Sequence, residues 1–172
     1  MKPNAKKINA MLAEKIAKFG WTIIAVGSDG VNPGYSYTVG LFEKFNHPEM
    51  IVFGLPQEVA HHIIHDVANE HAKKDKMIAT DCIYNQLMQG FDTAFLKVDL
   101  DQMENYLYAL QTHYGKACTS VPSIQLIWTD TDNHFPWDKA FNEDFRPAQP
   151  LLGTPHPVLL ESPKPISIRQ LH

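Results

Sequence analysis

Five residues in two short loops have the side-chain types that acid–base chemistry needs. His47 and Glu49 flank Pro48, and Asp130, Asp132 and His134 fall in the run WTDTDNHFPWD, residues 128–138. An imidazole beside carboxylates offers a general base and a general acid near neutral pH. The same oxygen and nitrogen donors suit a divalent ion. Combined, they would form the Asp/His/Glu set of a small hydrolase, with or without a metal, and with His as base. That reading requires the two loops to meet at one end of a sheet. Each loop also has a plainer reading. His47-Pro48-Glu49 serves as an ordinary hairpin loop, and Asp130 to His134 as a polar turn making local backbone bonds. The calcium-loop pattern fails, because no Gly holds its sixth position and Phe141 stands where its closing Glu would be.

His61 and His65 are four apart in HHIIH and share a helical face, which makes them weak candidates for a metal pair. The apolar stripe of the same helix points the other way, so both are expected in solvent, without the further ligands and enclosing shell that a metal site needs. His71 falls near the stripe and reads as a partly buried, hydrogen-bonded histidine. No GxSxG, CxxC or phosphate-cradling glycine loop is present, so no residue stands out as a nucleophile and no cofactor is implied. Whether the chain is an enzyme stays open on this evidence. The other reading is a non-enzymatic binding domain, with Tyr35, Tyr37, His47 and Trp137 facing a protein partner or a small molecule. Tyrosine and tryptophan are favoured at recognition sites.

These residues need elements to hold them. Residues 4–19 place Ile8, Met11, Leu12, Ile16 and Phe19 at helical spacing, between an Asn4 cap and Gly20. WTIIAV, residues 21–26, reads as a strand. Residues 35–42 and 50–53 follow as a second and a third strand, the third apolar on both faces and so central. Pro56 opens a helix to about residue 74. The stretch 76–90 fits either a short strand or a helix. A strand over 91–98, a helix over 101–114 and a strand over 123–129 complete the order α-β-β-β-α-β-α-β. The first strands are joined too tightly for parallel crossovers and pair antiparallel. The fold class is therefore α+β, a single mostly antiparallel sheet with packed helices.

The domain is expected to span residues 1–145. Half of the twelve prolines lie beyond residue 146, too densely for a helix or central strand. Leu151, Leu152, Leu159 and Ile166 make this segment too apolar for a disordered tail. Residues 146–172 are expected to form an extended arm packed on the domain or on a neighbouring subunit. A homo-oligomer that exchanges this arm is a third reading.

The net charge of −4 argues against a nucleic-acid partner, which would select clustered Lys and Arg. No apolar run approaches the roughly 18 residues of a membrane span. Cys82 and Cys118 read as reduced thiols, and the N-terminus lacks a secretory layout, so a cytoplasmic protein is expected.

Tyr37 to Leu41 (YTVGL), His47 to Glu49, Gly54-Leu55, Gln125 to Trp128 (QLIW) and Phe135 to Trp137 (FPW) occur in this order across residues 20–141. On these blocks the chain resembles the bacterial family catalogued as domain of unknown function 4262. The resemblance brings no activity, cofactor or catalytic residue with it. The histidine cluster of 61–65 and the arm beyond 142 lie outside its pattern.

Overall fold

The computed structural model describes residues 4–168. Helix α1 (Ala5–Phe19) starts where the Asn4 side chain accepts from Lys6 N–H and ends at left-handed Gly20, as its sequence signals dictate. Strands β1 (Thr22–Val26), β2 (Tyr35–Val39) and β3 (Glu49–Phe53) follow. Between β2 and β3 the chain forms a short helix α2 (Leu41–Phe45), so the second strand stops three residues before the expected end. Helix α3 (Gln57–Glu70) buries Ala60, Ile63, Ile64, Val67 and Ala68, five of the six residues of the stripe expected from the sequence; the sixth, Val59, is exposed.

The undecided stretch resolves as β4 (Ile83–Met88), which pairs antiparallel with β5 (Phe91–Lys97). The helix expected over 101–114 is two helices, α4 (Leu100–Tyr106) and α5 (Tyr108–Tyr114), broken at Leu107. Strand β6 (Ser123–Trp128) is buried along its whole length. The six strands form one sheet in the order β1-β2-β3-β6-β5-β4. Four of its pairs are antiparallel, and β3 and β6 run parallel at its centre. The architecture is α+β.

Residues level with one another across a sheet share a face. Helix α3 covers the face that carries Met50, Val52, Phe95, Ile124, Leu126 and Trp128. Helices α1, α4 and α5 cover the other, with Tyr37, Val39, Ile51, Phe53 and Leu110. Farther along that second face, Ile83, Ala94, Leu96, Ile127 and Phe135 form a separate cluster.

The proline-rich segment runs between these two clusters, within its own chain. Leu152 enters one, while Leu151 and Leu159 join the other. Buried Gln125 grips it from the sheet, donating to Pro150 O at 2.7 Å and accepting from Leu152 N–H at 2.7 Å. Gln149 forms a side-chain ladder with Trp128, donating to its carbonyl at 2.7 Å. Two glycines allow the close approach. A methyl group at Gly54 would overlap Ala148 O, and one at Gly153 would overlap Lys97 O.

Candidate functional site

The parallel β3–β6 pair decides where the acid–base candidates stand. Glu49 is level with Ser123, at the start of β6. Asp130 lies seven residues farther along, past the opposite end, roughly 20 Å away at about 3.3 Å per residue. The His47 loop and the Asp130–His134 loop therefore sit at opposite ends of the sheet. The composite set, which required them to meet, is not assembled. This arrangement follows from a long-range parallel pairing that strand periodicity does not encode.

Each half has its own geometry. The Glu49 carboxylate is buried and accepts from Thr38 Oγ1–H at 2.5 Å, Gly40 N–H at 2.8 Å, Phe42 N–H at 3.2 Å and the Tyr114 hydroxyl at 2.8 Å. Two of these donors are orphan amides at the N-terminus of α2. Desolvation pushes the Glu49 carboxyl up from its ordinary range, against the pull of the four donors. His47 is equally buried. Its Nδ1 donates to Pro48 O at 2.8 Å, which leaves Nε2 as the acceptor nitrogen, enclosed and without a partner. Burial holds His47 below its usual value, and neighbouring His71 adds to the effect. Neither group is open to a substrate.

At the other end Asp130 is also buried. Its Oδ1 accepts from Asp132 N–H at 3.0 Å and His134 N–H at 2.9 Å, and its Oδ2 accepts from Asn142 N–H at 2.8 Å. Burial raises the pKa of this group, but the three backbone donors outweigh it and the net shift is downward. His134 Nδ1 stands 3.6 Å from Asp130 Oδ1, beyond hydrogen-bonding distance. Asp132 is on the surface. The Asp130 carboxylate thus folds its own loop. Trp137 stacks on Phe135 with centroids 4.7 Å apart and packs on the cluster around Ile127.

The aromatic candidates divide as well. Tyr35 and Tyr37 share a sheet face with Trp137, but the arm over Gln125 runs between them. The two tyrosines instead meet the break between α4 and α5. Tyr35 Oη–H donates to Tyr106 O at 3.1 Å, and the Tyr37 hydroxyl accepts from Ala109 N–H at 3.0 Å. These are the backbone groups that an unbroken helix would have satisfied internally. Burial keeps both phenols protonated by raising their pKa values.

Beside this break lies a cleft of about 680 Å³ between α1, β1, β2 and the α4–α5 junction. Ile8, Met11, Ile24, Val26 and Tyr108 line it along with Tyr35 and Tyr37. Met11, Val26 and Tyr108 are each more than a third exposed, which is unusual for such apolar groups gathered on one concave surface. Glu104 and Asn105 also line it. Sequence reasoning singled out the two tyrosines and placed Ile8 and Met11 on a helical stripe. It missed Val26 and Tyr108, whose only signal is apolar character at an element's end.

His61 is half-buried and His65 exposed. His65 is thus open to solvent as expected, His61 less so, and both line a groove against Trp21. Among the described residues no group of three or more His, Cys, Asp or Glu side chains could hold a metal ion. No helix among them is long and apolar enough to cross a membrane.

The family model described as domain of unknown function (DUF4262) matches residues 15–142, and the chain belongs to that family. No curated protein and no solved structure matches it.

Proposed function

We propose that the protein is a binding domain that holds a mostly apolar small molecule in the cleft between α1, β1, β2 and the α4–α5 break. One observation carries this reading. Apolar side chains from four elements line a concave surface of about 680 Å³, inside the size range of small-molecule sites, and three of them, Met11, Val26 and Tyr108, stay exposed there. Glu104 and Asn105, both exposed on its wall, supply the polar contacts. His47 and Trp137 of the original binding set stand outside this cleft. The saturated state of Glu49 and Asp130, and their separation, favour binding over hydrolysis. We further take the protein to be bacterial and cytoplasmic, in keeping with its two free thiols, Cys82 and Cys118.

Nile red, a neutral apolar dye, tests the cleft directly. It should bind with a saturable blue shift in emission. Val26→Arg and Tyr108→Ala alter exposed wall residues and should each weaken that binding about fivefold or more, while the thermal melt stays within a few degrees of the parent. Affinity equal to the parent's in both variants would remove the cleft as the site.

A further inference from the structure

A second concave surface lies on the α3 side of β1, and its chemistry is different. Trp21 forms its floor, only 8% exposed. Phe45 and Phe19 flank it, and Phe19 is 61% exposed. His65 stands over the indole with ring centroids 5.1 Å apart, tilted by 55°. The remaining polar groups are Lys15, Lys73, His61 and Thr22, around a volume of about 460 Å³.

No carboxylate lines this groove, on a chain whose net charge is −4. The nearby acids have partners on or next to their own helix. Asp66 faces His62 at 3.4 Å, though its charge also reaches His65, and Glu70 pairs with Lys74 at 2.8 Å. Lys73 Nζ donates to the neutral Asn69 Oδ1 at 2.7 Å, so its charge is not cancelled and it retains further protons to donate. Lys18 Nζ adds positive charge outside the rim, 5.1 Å from the Phe19 ring centre.

We propose that this groove binds a small planar anion. Its ring lies along Trp21 between Phe19 and Phe45, and its carboxylate or phosphate is held by Lys15 and Lys73. Aromatic walls select the ring, because offset and edge contacts with an indole favour flat molecules. The lysines select the charge through ionic hydrogen bonds. The lysines disfavour an uncharged ring of equal size, which offers them no anion to pair with. The groove is on the opposite side of the sheet from the tyrosine cleft, so the two sites stand or fall separately.

The test uses the full chain and three probes of one ring: 1-naphthoate, 1-naphthyl phosphate and neutral 1-naphthalenemethanol. Binding is followed by the three indole N–H resonances in a nitrogen–proton correlation spectrum. One or both anions should saturate at millimolar concentration or below and shift Trp21, while Trp128 and Trp137 stay in place. A carboxylate preference or a phosphate preference identifies the source of the anion. The neutral alcohol should bind about tenfold more weakly or not at all. Lys15→Met with Lys73→Met keeps the aliphatic stems and should abolish the shift, whereas Val26→Arg should leave it intact. Equal binding of the neutral alcohol, retention of affinity in the double lysine variant, or no saturable shift with either anion would each overturn the proposal.

Discussion

Glu49 and Asp130 invite comparison because they are the same chemical group, equally hidden, at opposite ends of one sheet. Both are about 1% exposed. Yet burial dominates one and hydrogen bonding the other. Glu49 accepts from two amides and two hydroxyls, and its pKa still rises. Asp130 accepts from three amides in its own loop, and its pKa falls. The difference lies in what surrounds the donors. Glu49 is at the start of a central strand with α2 and α5 over it, fully dry. Asp130 is in a turn where the donors from Asp132 and Asn142 belong to exposed residues, and all three of its donors are backbone amides. A carboxylate beside a histidine in sequence thus marks a staple in both places, one long-range and one local.

The largest way to break this comparison is to remove each carboxylate. Glu49→Ala would leave Thr38, Gly40, Phe42 and Tyr114 donors facing a dry cavity and would detach α2 from the sheet. A loss of about 3–5 kcal/mol is expected from denaturant melts, in the range for uncompensated buried polar groups. Asp130→Ala frees three amides near the surface, where water can replace the carboxylate, and about 1–3 kcal/mol is expected. If Asp130→Ala proved the more damaging, the assignment of long-range and local roles would be reversed.

The pH dependence sharpens the same contrast through its sign. A carboxyl whose folded pKa is raised binds protons more readily in the folded state. For Glu49 the resulting stabilisation is complete below the ordinary value of 4.5 and is lost as pH rises through the folded pKa. A carboxyl whose folded pKa is lowered does the reverse. Asp130 contributes fully above its ordinary value of 3.8, and the contribution is lost as pH falls through the lower folded pKa. Urea melts from pH 3 to pH 8 should show the parent's advantage over Glu49→Gln shrinking as pH rises. The advantage over Asp130→Asn should grow over the acid range and then level off. Slopes of the same sign would show that one of the two shifts is misassigned. Differences between variant and parent are needed, because buried His47 and His71, both held below 6.5, destabilise the fold of every variant as pH falls through that range.

Much of the sheet was legible because its elements keep their periods. The apolar stripe of α3, the caps of α1 and the alternation of β2 are local features, and they survive folding unchanged. What failed was decided by partners distant in sequence. The alternation of β2 continues through Leu41 and Phe42, yet the chain turns into α2 because the Glu49 carboxylate captures Gly40 and Phe42 N–H. The helical pattern runs unbroken through Leu107, yet the chain breaks there because Tyr35 and Tyr37 satisfy the freed backbone groups. The candidate site suffered most. Its residue types were visible, but their hydrogen-bond saturation and the parallel β3–β6 register were not.

The tyrosine pair offers the smallest effect and the finest test of how a broken helix is tolerated. Tyr37 is 2% exposed, so Tyr37→Phe leaves the Ala109 amide buried without an acceptor, at a cost of about 1–2 kcal/mol. Tyr35 and Tyr106 are both half-buried, so solvent can take over the carbonyl that Tyr35 serves, and Tyr35→Phe should cost a few tenths of a kcal/mol at most. Amide hydrogen exchange separates the two further. Tyr37→Phe should accelerate exchange in α5, from Ala109 onward, and leave the rest of the sheet protected. Equal effects from both variants would mean that the break is held by the packing of Leu107, itself 1% exposed, and that the phenol oxygens add nothing to it.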